Sequence, residues 1–451
     1  MFAKDFIWGA ATSAYQIEGA YAEGGKGLNI WDVFTKDAGH IFEGHNGDTA
    51  CDHYHRFRED VALMKEIGLK AYRFSLSWAR LLPEGTGKVN ETGVRFYNDL
   101  IDALLENGIE PHITLHHWDL PYELYKRGGW MNPQIVEWFG AFAKLAAELF
   151  SDRATHFFTL NEPQCFIGLG FLNGVHAPGV KCPLRDTLEM SHNALKAHGR
   201  AVQMLRQYGR LPLEIGYAPT CSAAYPATER PEDIEATRQA MFAIPEDDRG
   251  WTWNVSWWSD PVLLGHYPEE TLTRFAPYLP KITDEDMKLI SEPIDVYAQN
   301  IYNGHCVRMG TDGQPEYVRR HEGFPRTANG WPITPESLFW GPKFLYERYK
   351  MPFYITENGL SCHDVISLDG KVHDPNRIDF LARYLRELKK VASEIDLRGY
   401  FQWSLMDNFE WDKGYSERFG MIFVDYQTQE RILKDSAYWY HDTIKANGKN
   451  L

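Results

Sequence analysis

The sequence is short of positive charge. Lys and Arg total 47 against 62 Asp and Glu, a formal net charge of −15. Nucleic acid and anionic membranes attract basic surfaces, so neither is an expected partner. Long apolar runs are missing too: no stretch approaches the ~20 residues of a membrane-spanning helix. The opening MFAKDFIWGAATSAYQ carries a single Lys, is broken by Asp5 and Gly9, and does not read as a secretory signal. The six cysteines (Cys51, Cys165, Cys182, Cys221, Cys306 and Cys362) are scattered, with no C-x-x-C pair. They read as free thiols in a reducing compartment, hence a cytoplasmic location. No G-x-G-x-x-G follows a strand, and no G-x-S-x-G elbow is present. Gly24-Gly25-Lys26-Gly27 lacks the spaced leading Gly and the Ser/Thr of a phosphate loop. Asp52-His53-Tyr54-His55 and His116-His117 offer too few ligands at close spacing for zinc. His53 and His55 are expected at a helix start, making local hydrogen bonds. No metal site is expected. No linker or low-complexity segment divides the chain, which reads as a single domain over residues 1–451.

Aromatic residues are plentiful at 14%, with 15 Trp. They can fill a core or cover the flat C–H faces of a ligand. Short apolar, β-rich runs recur along the chain: Phe6–Ala11, Ala71–Leu76, Pro111–Leu115, His156–Leu160, Leu213–Tyr217, Asp295–Ile301, Pro352–Thr356 and Gly399–Trp403. Helix-like spacing appears between them at Asp60–Gly68, Tyr97–Asn107, Trp138–Phe150 and Ile378–Ile395. Strands alternating with helices in this way predict a closed (β/α)8 barrel, an α/β fold with its active site at the C-terminal ends of the strands. The gap from about residue 218 to 294, and the Trp-rich stretch after Asp247, are expected to be loop insertions.

Chemistry in such a barrel sits where the strands end. The runs lead to Gln16 and Glu18, contain Arg73, or finish in His116-His117-Trp118-Asp119, Asn161-Glu162-Pro163, Asn300 and Tyr302, Glu357, and Trp403 followed by Asp407, Asn408, Glu410 and Trp411. Two of these strand ends repeat one theme. Phe353-Tyr354-Ile355-Thr356 runs into Glu357, and Phe157-Phe158-Thr159-Leu160 runs through Asn161 into Glu162. A carboxylate at the mouth of an apolar strand is costly unless the site uses it. Two of them across one barrel mouth are what glycoside hydrolysis requires.

Seven segments then carry a specific resemblance: FIWGAATSAYQIEGA (6–20), KGLNIWDVF (26–34), YRFSLSWAR (72–80), LHHWDLP (115–121), TLNEP (159–163), ITENG (355–359) and WSLMDNFEW (403–411). In this order they resemble the β-glucosidases of glycoside hydrolase family 1, over nearly the whole chain. The resemblance implies a retaining exo-β-glucosidase with β-galactosidase and β-fucosidase side activity. Its substrates would be β-glucosides and short β-linked oligosaccharides, and it would need no cofactor. A transglycosylase using the same intermediate is the alternative, with a non-catalytic sugar-binding relative behind it. Whether the chain is a monomer or a homo-oligomer stays open.

By the same resemblance Glu162 is the general acid/base and Glu357 the nucleophile. Arg73 and Tyr302 would keep Glu357 charged, and its charge would hold the proton on Glu162. Gln16, His117, Trp118, Asn161, Asn300, Trp403, Glu410 and Trp411 would grip the sugar, and Trp331 and Phe419 would line the way to it. Relatives that take 6-phosphoglycosides carry Ser where this chain has Glu410, so unphosphorylated glycosides are expected. Gln164 and Cys165 follow Glu162-Pro163 where an aromatic is usual. That departure removes an apolar wall and favours a polar leaving group such as a second sugar.

Overall fold

The computed structural model describes residues 2–245 and 250–451. Asp247 lies outside these residues. Eight parallel strands close into a barrel: β1 (Ile7–Ala11), β2 (Ala71–Ser75), β3 (Glu110–His116), β4 (His156–Asn161), β5 (Glu214–Ala218), β6 (Val296–Asn300), β7 (Phe353–Asn358) and β8 (Leu397–Trp403). Each pairs with its neighbours in sequence order, and β8 returns to β1 with Ile7 opposite Gly399 and Ala11 opposite Trp403. All eight expected runs are therefore strands, shifted by no more than a few residues at their ends.

The strands are apolar on both faces because both are covered. Ala11, Ala71, Phe158, Ala218, Val296, Ala298, Tyr354 and Phe401 form one buried cluster drawn from the strands themselves. The opposite faces join a far larger core under the helices. Those helices follow the strands in turn: α1 (His53–Ile67), α2 (Glu91–Glu106), α3 (Ile135–Phe150), α4 (Leu184–Tyr208), α5 (Asp284–Ile290), α6 (Ser337–Tyr349), α7 (Pro375–Val391) and α8 (Asp435–Lys445).

Several helices begin well before their apolar pattern does. The spacing places a start at Tyr97, yet α2 begins at Glu91, where the Asn90 side chain accepts from the Thr92 N–H. Likewise α1 begins at His53 rather than Asp60. There His53 Nδ1 and Asp60 Oδ2 lie 2.7 Å apart, and His55 Nδ1 and Asp52 Oδ1 lie 2.6 Å apart, local bonds of the kind expected. Helix α4, which the spacing did not mark, buries Leu188, Leu195, Val202 and Leu205 at helical intervals together with small and polar residues such as Ser191, Ala197, His198 and Gly199. A Cβ at Gly199 would sit 1.8 Å from the Leu289 carbonyl oxygen of α5, so small residues let the helices touch.

The expectation of loop insertions between β5 and β6 is corrected. Besides α5, that segment holds a strand at Ala223–Pro226 and helices at Pro231–Phe242, Val255–Leu263 and Glu269–Arg274. Trp251, Trp257 and Trp258 are buried there, and Pro261 lies inside a helix. Tertiary packing of these rings overrides a poor local helix signal. Ala223–Pro226 pairs with Gly304–Met309, which pairs in turn with Pro315–Tyr317. The loops after β7 and β8 are tied by buried charge. Lys434 Nζ donates to Asp364 and to Asp407, each at 2.6 Å, and Arg377 donates to Asp364 at 2.7 Å and also to Asp374.

Candidate active site

Both strands that carry the paired glutamates lose regular register just before them. The shift falls between Phe158 and Asn161 on β4, and between Ile355 and Glu357 on β7. Such irregularities turn a strand end and re-aim its side chains. Glu162 then takes a left-handed conformation, φ 42° and ψ 67°, at the start of the short helix Pro163–Ile167. That region is strained for a residue with a side chain. It is held there by the Glu162 N–H donating to the Ala218 carbonyl at 2.9 Å. Asn358 completes β7, paired with Gln402. Gly359 follows in close packing, where a Cβ would lie 1.8 Å from the Trp403 carbonyl oxygen.

Glu162 and Glu357 face a common cavity of about 650 Å³. Their polar partners differ. Arg73 Nη1 donates to Glu357 Oε1 at 2.8 Å, and the Tyr302 hydroxyl donates to Glu357 Oε2 at 2.8 Å. Glu162 Oε1 accepts from Asn300 Nδ2 at 2.8 Å, and Cys165 Sγ lies 3.2 Å from Oε2 as its donor. No cation touches it among the described contacts.

Burial pushes both carboxyls up. Glu162 rises to about 8, from burial first and the charge of Glu357 second. The charge of Glu357 thus raises Glu162 as expected, with desolvation the larger cause. Burial raises Glu357 as well, but Arg73, Tyr302 and Asn300 oppose it. Of the coupled pair, Glu357 is the one equipped to give up its proton first.

Arg73, Asn161 and Asn300 are fully buried behind the cavity wall. Asn161 Oδ1 accepts from Arg73 at 2.6 Å and from Asn300 at 3.0 Å, while its Nδ2 donates to His117 Nε2 at 3.1 Å. His117 is pushed well below its ordinary range by burial and then by Arg73. Its ring is therefore neutral, and with Nε2 accepting, the hydrogen sits on Nδ1.

His117, Trp118, Tyr302, Trp331, Trp403, Glu410, Trp411 and Phe419 line the cavity as anticipated. The ring of Trp403 lies nearly parallel to His117, with centroids 5.6 Å apart. Trp331 and Phe419 pack on Tyr302 at the entrance. Trp118 lends its edge to the cavity, but its indole N–H is committed to the Asn161 carbonyl at 3.0 Å. Gln16 is buried behind the wall. Its Nε2 donates to Asn408 Oδ1 at 3.0 Å, to the Phe409 carbonyl at 2.9 Å and to Glu410 Oε2 at 3.4 Å. It thereby positions Glu410. Glu410 is itself pushed well above the carboxylate range, by burial and then by the charges of Asp412, Glu357, Glu417 and Glu162.

The change at Gln164 also works differently from the sequence expectation. Gln164 faces away from the cavity, and its amide donates to the Thr220 carbonyl at 2.9 Å. Cys165 is the residue that faces in. Thr220, Ser222, Asn303, His305 and Trp253 complete that side. Asn303 and His305 directly follow the end of β6 and were legible by position alone. The others come from the β5–β6 insertion, where sequence offered no strand end to mark them.

A group of possible metal ligands lies at the other end of the barrel. Glu110, His112 and His156 bring donor atoms within 4.8 Å of one another near the starts of β3 and β4. The two imidazoles are stacked, 4.1 Å apart at 15°, so their in-plane lone pairs do not converge on one ion.

A family model described as Glycosyl hydrolase family 1 matches residues 1–449. Beta-glucosidase A of Thermotoga maritima is 44% identical over 449 residues, covering 99% of this chain and 98% of the relative. The 1,4-beta-D-glucan glucohydrolase of Thermotoga neapolitana is also 44% identical, covering 99% of each chain. The solved structure of the T. maritima β-glucosidase with cyclophellitol superposes with a TM-score of 0.90 over 99% of both chains, at 44% identity.

Proposed function

The chain belongs to glycosyl hydrolase family 1, and on that premise we propose that Glu357 is the nucleophile and Glu162 the acid/base of its reaction. The enzyme is a retaining β-glucosidase, releasing terminal β-glucosyl residues through a covalent glycosyl-enzyme intermediate. One observation carries the residue roles: Arg73 and Tyr302 both donate to Glu357, and among the described residues no cation contacts Glu162.

The first step forms a bond from a Glu357 oxygen to the anomeric carbon and breaks the bond to the leaving oxygen. That oxygen takes the Glu162 proton. Esterification removes the charge of Glu357, and with it one of the causes that raise Glu162. Glu162 then takes a proton from water as the water attacks the anomeric carbon. Trp403 supports the ring face of the sugar. His117 Nδ1–H, Glu410 and Trp411 meet its hydroxyls, and Asn161 and Asn300 hold the catalytic pair in register.

The leaving-group side favours polar partners. Thr220, Ser222, Asn303 and His305 surround an entrance whose aromatic surface comes from Trp331 and Trp253. We therefore infer that short β-linked oligosaccharides are hydrolysed in preference to bulky apolar glucosides. Unphosphorylated sugars are the substrates, galactosides and fucosides are secondary ones, and the intermediate also passes to sugar acceptors at high concentration. The whole of residues 1–451 serves this one site. The six unpaired cysteines suit a cytoplasmic location.

The test is direct. Glu357→Ala should abolish turnover, and NMR should find the β-anomer released first. Surviving activity would remove Glu357 from its role. Comparing kcat/KM on cellobiose with that on an octyl glucoside tests the leaving-group reading, and a strong preference for the alkyl chain would overturn it.

A further inference from the structure

Glu162 has to work in two protonation states in every turnover. Burial and the charge of Glu357 favour the acid, and only the second of these vanishes when Glu357 is esterified. The carboxylate that must then form remains in a desolvated site where, among the described residues, no cation contacts it. Its two oxygens are held differently. Oε1 accepts from Asn300 Nδ2, which also serves Asn161. Oε2 has Cys165 Sγ, at 3.2 Å, as its hydrogen-bonding partner.

Local structure fixes that contact. Cys165 is three residues after Glu162, and its N–H donates to the Glu162 carbonyl at 2.9 Å. One helical turn thus returns the thiol to the face of the carboxyl group. Cys165 is also buried, and it lines the cavity. Gln164 steadies the same turn from behind through Thr220.

We propose that Cys165 is a positioning residue for the acid/base: its S–H holds Glu162 Oε2 and stabilises the carboxylate form needed in the second half of the reaction. A thiol is a weak donor to a neutral acid, but a hydrogen bond to an ionised acceptor is markedly stronger. The contact therefore acts on one protonation state more than on the other. Burial and the neighbouring Glu162 push the Cys165 thiol well up, so it remains S–H, a donor, throughout the working range. The Cys165 contact opposes the rise of Glu162 and keeps its proton removable.

The inference rests on Glu162 being the acid/base, and the experiment separates the two ideas. Cys165→Ala, Cys165→Val and Cys165→Ser would be compared with the unchanged enzyme. The first reading is the alkaline limb of kcat/KM on cellobiose. Ala and Val both lack a donor but differ in volume. Both should move that limb upward by about half to one pH unit, the scale of a lost weak bond to a charged group. Ser keeps a donor and should leave the limb at or below its original position.

The second reading is kcat on 2,4-dinitrophenyl glucoside, whose leaving group needs no proton, so that breakdown of the intermediate limits the rate. It should fall several-fold near neutral pH in Ala and Val, and less in Ser. An unmoved limb in all three variants overturns the proposal. So does a shift in Ala that Val abolishes, because volume rather than the donor would then explain it. Failure of the acid/base assignment looks different: Glu162→Ala would leave hydrolysis of cellobiose undiminished.

Discussion

A buried glutamate with an elevated pKa affects activity and stability in opposite senses. In its proposed role as acid/base Glu162 must be protonated to start the reaction, so kcat/KM on cellobiose should hold steady through neutrality and fall as pH rises through about 8. The limb should disappear for leaving groups that need no proton. Folding responds to the same group. In the unfolded chain Glu162 ionises in the ordinary carboxylate range, while in the folded state it holds its proton to about 8. Between those values the folded state binds more protons than the unfolded one. Its stabilising contribution is complete below the unfolded pKa and is lost as pH rises towards the folded one. Glu162→Gln, which cannot ionise, should therefore gain Tm relative to the parent as pH is raised from 5 to 8, in thermal melts of both proteins. A constant difference across that range would mean that Glu162 does not titrate as described.

Among elements, the loops after β7 and β8 depend on the buried cations Lys434 and Arg377. Lys434, at the start of α8, is fully buried between Asp364 and Asp407, and Asp407 also accepts from Arg418 at 2.6 Å. Removing one partner of such a network leaves the others charged and desolvated. Lys434→Ala should cost about 3–5 kcal/mol, measured by denaturant unfolding. Activity at low temperature should survive, since Lys434 does not line the cavity. A loss below 1 kcal/mol would show that water replaces the lysine. Gln164 works on a smaller scale. It clamps Thr220, which in turn donates its hydroxyl to the Asn300 carbonyl at 2.9 Å. Gln164→Ala should therefore raise KM for cellobiose several-fold and leave a small aryl glucoside nearly unaffected. Equal effects on both substrates would place the clamp's influence at the sugar rather than at the leaving group.

Over the whole molecule, the parts legible in the sequence were those with a local signal. Each barrel strand is a short run buried on both faces, so every one stood out, and Glu162 and Glu357 were visible as charges ending such runs. The Trp251–Trp258 region was not legible, because long-range ring packing holds it. The inward placement of Cys165 and the outward one of Gln164 depend on the left-handed backbone at Glu162, which no residue pattern announces. Composition does carry one consequence for selectivity. The net charge of −15 surrounds a cavity in which burial pushes Glu162 and Glu410 towards their neutral acids and Lys413 pairs with Asp412 at 2.7 Å, so the field on approach comes from the surface as a whole. A neutral glucoside meets no field on approach, whereas a 6-phosphoglucoside or a glucuronide does. Raising salt from 20 to 500 mM, across which the screening length shrinks from about 20 Å to about 4 Å, should leave kcat/KM for cellobiose flat. The residual activity on the anionic glycoside should rise over the same range. A flat response for both would assign the rejection of phosphate to close contacts at Glu410 alone, and Glu410→Ser would then restore most of it.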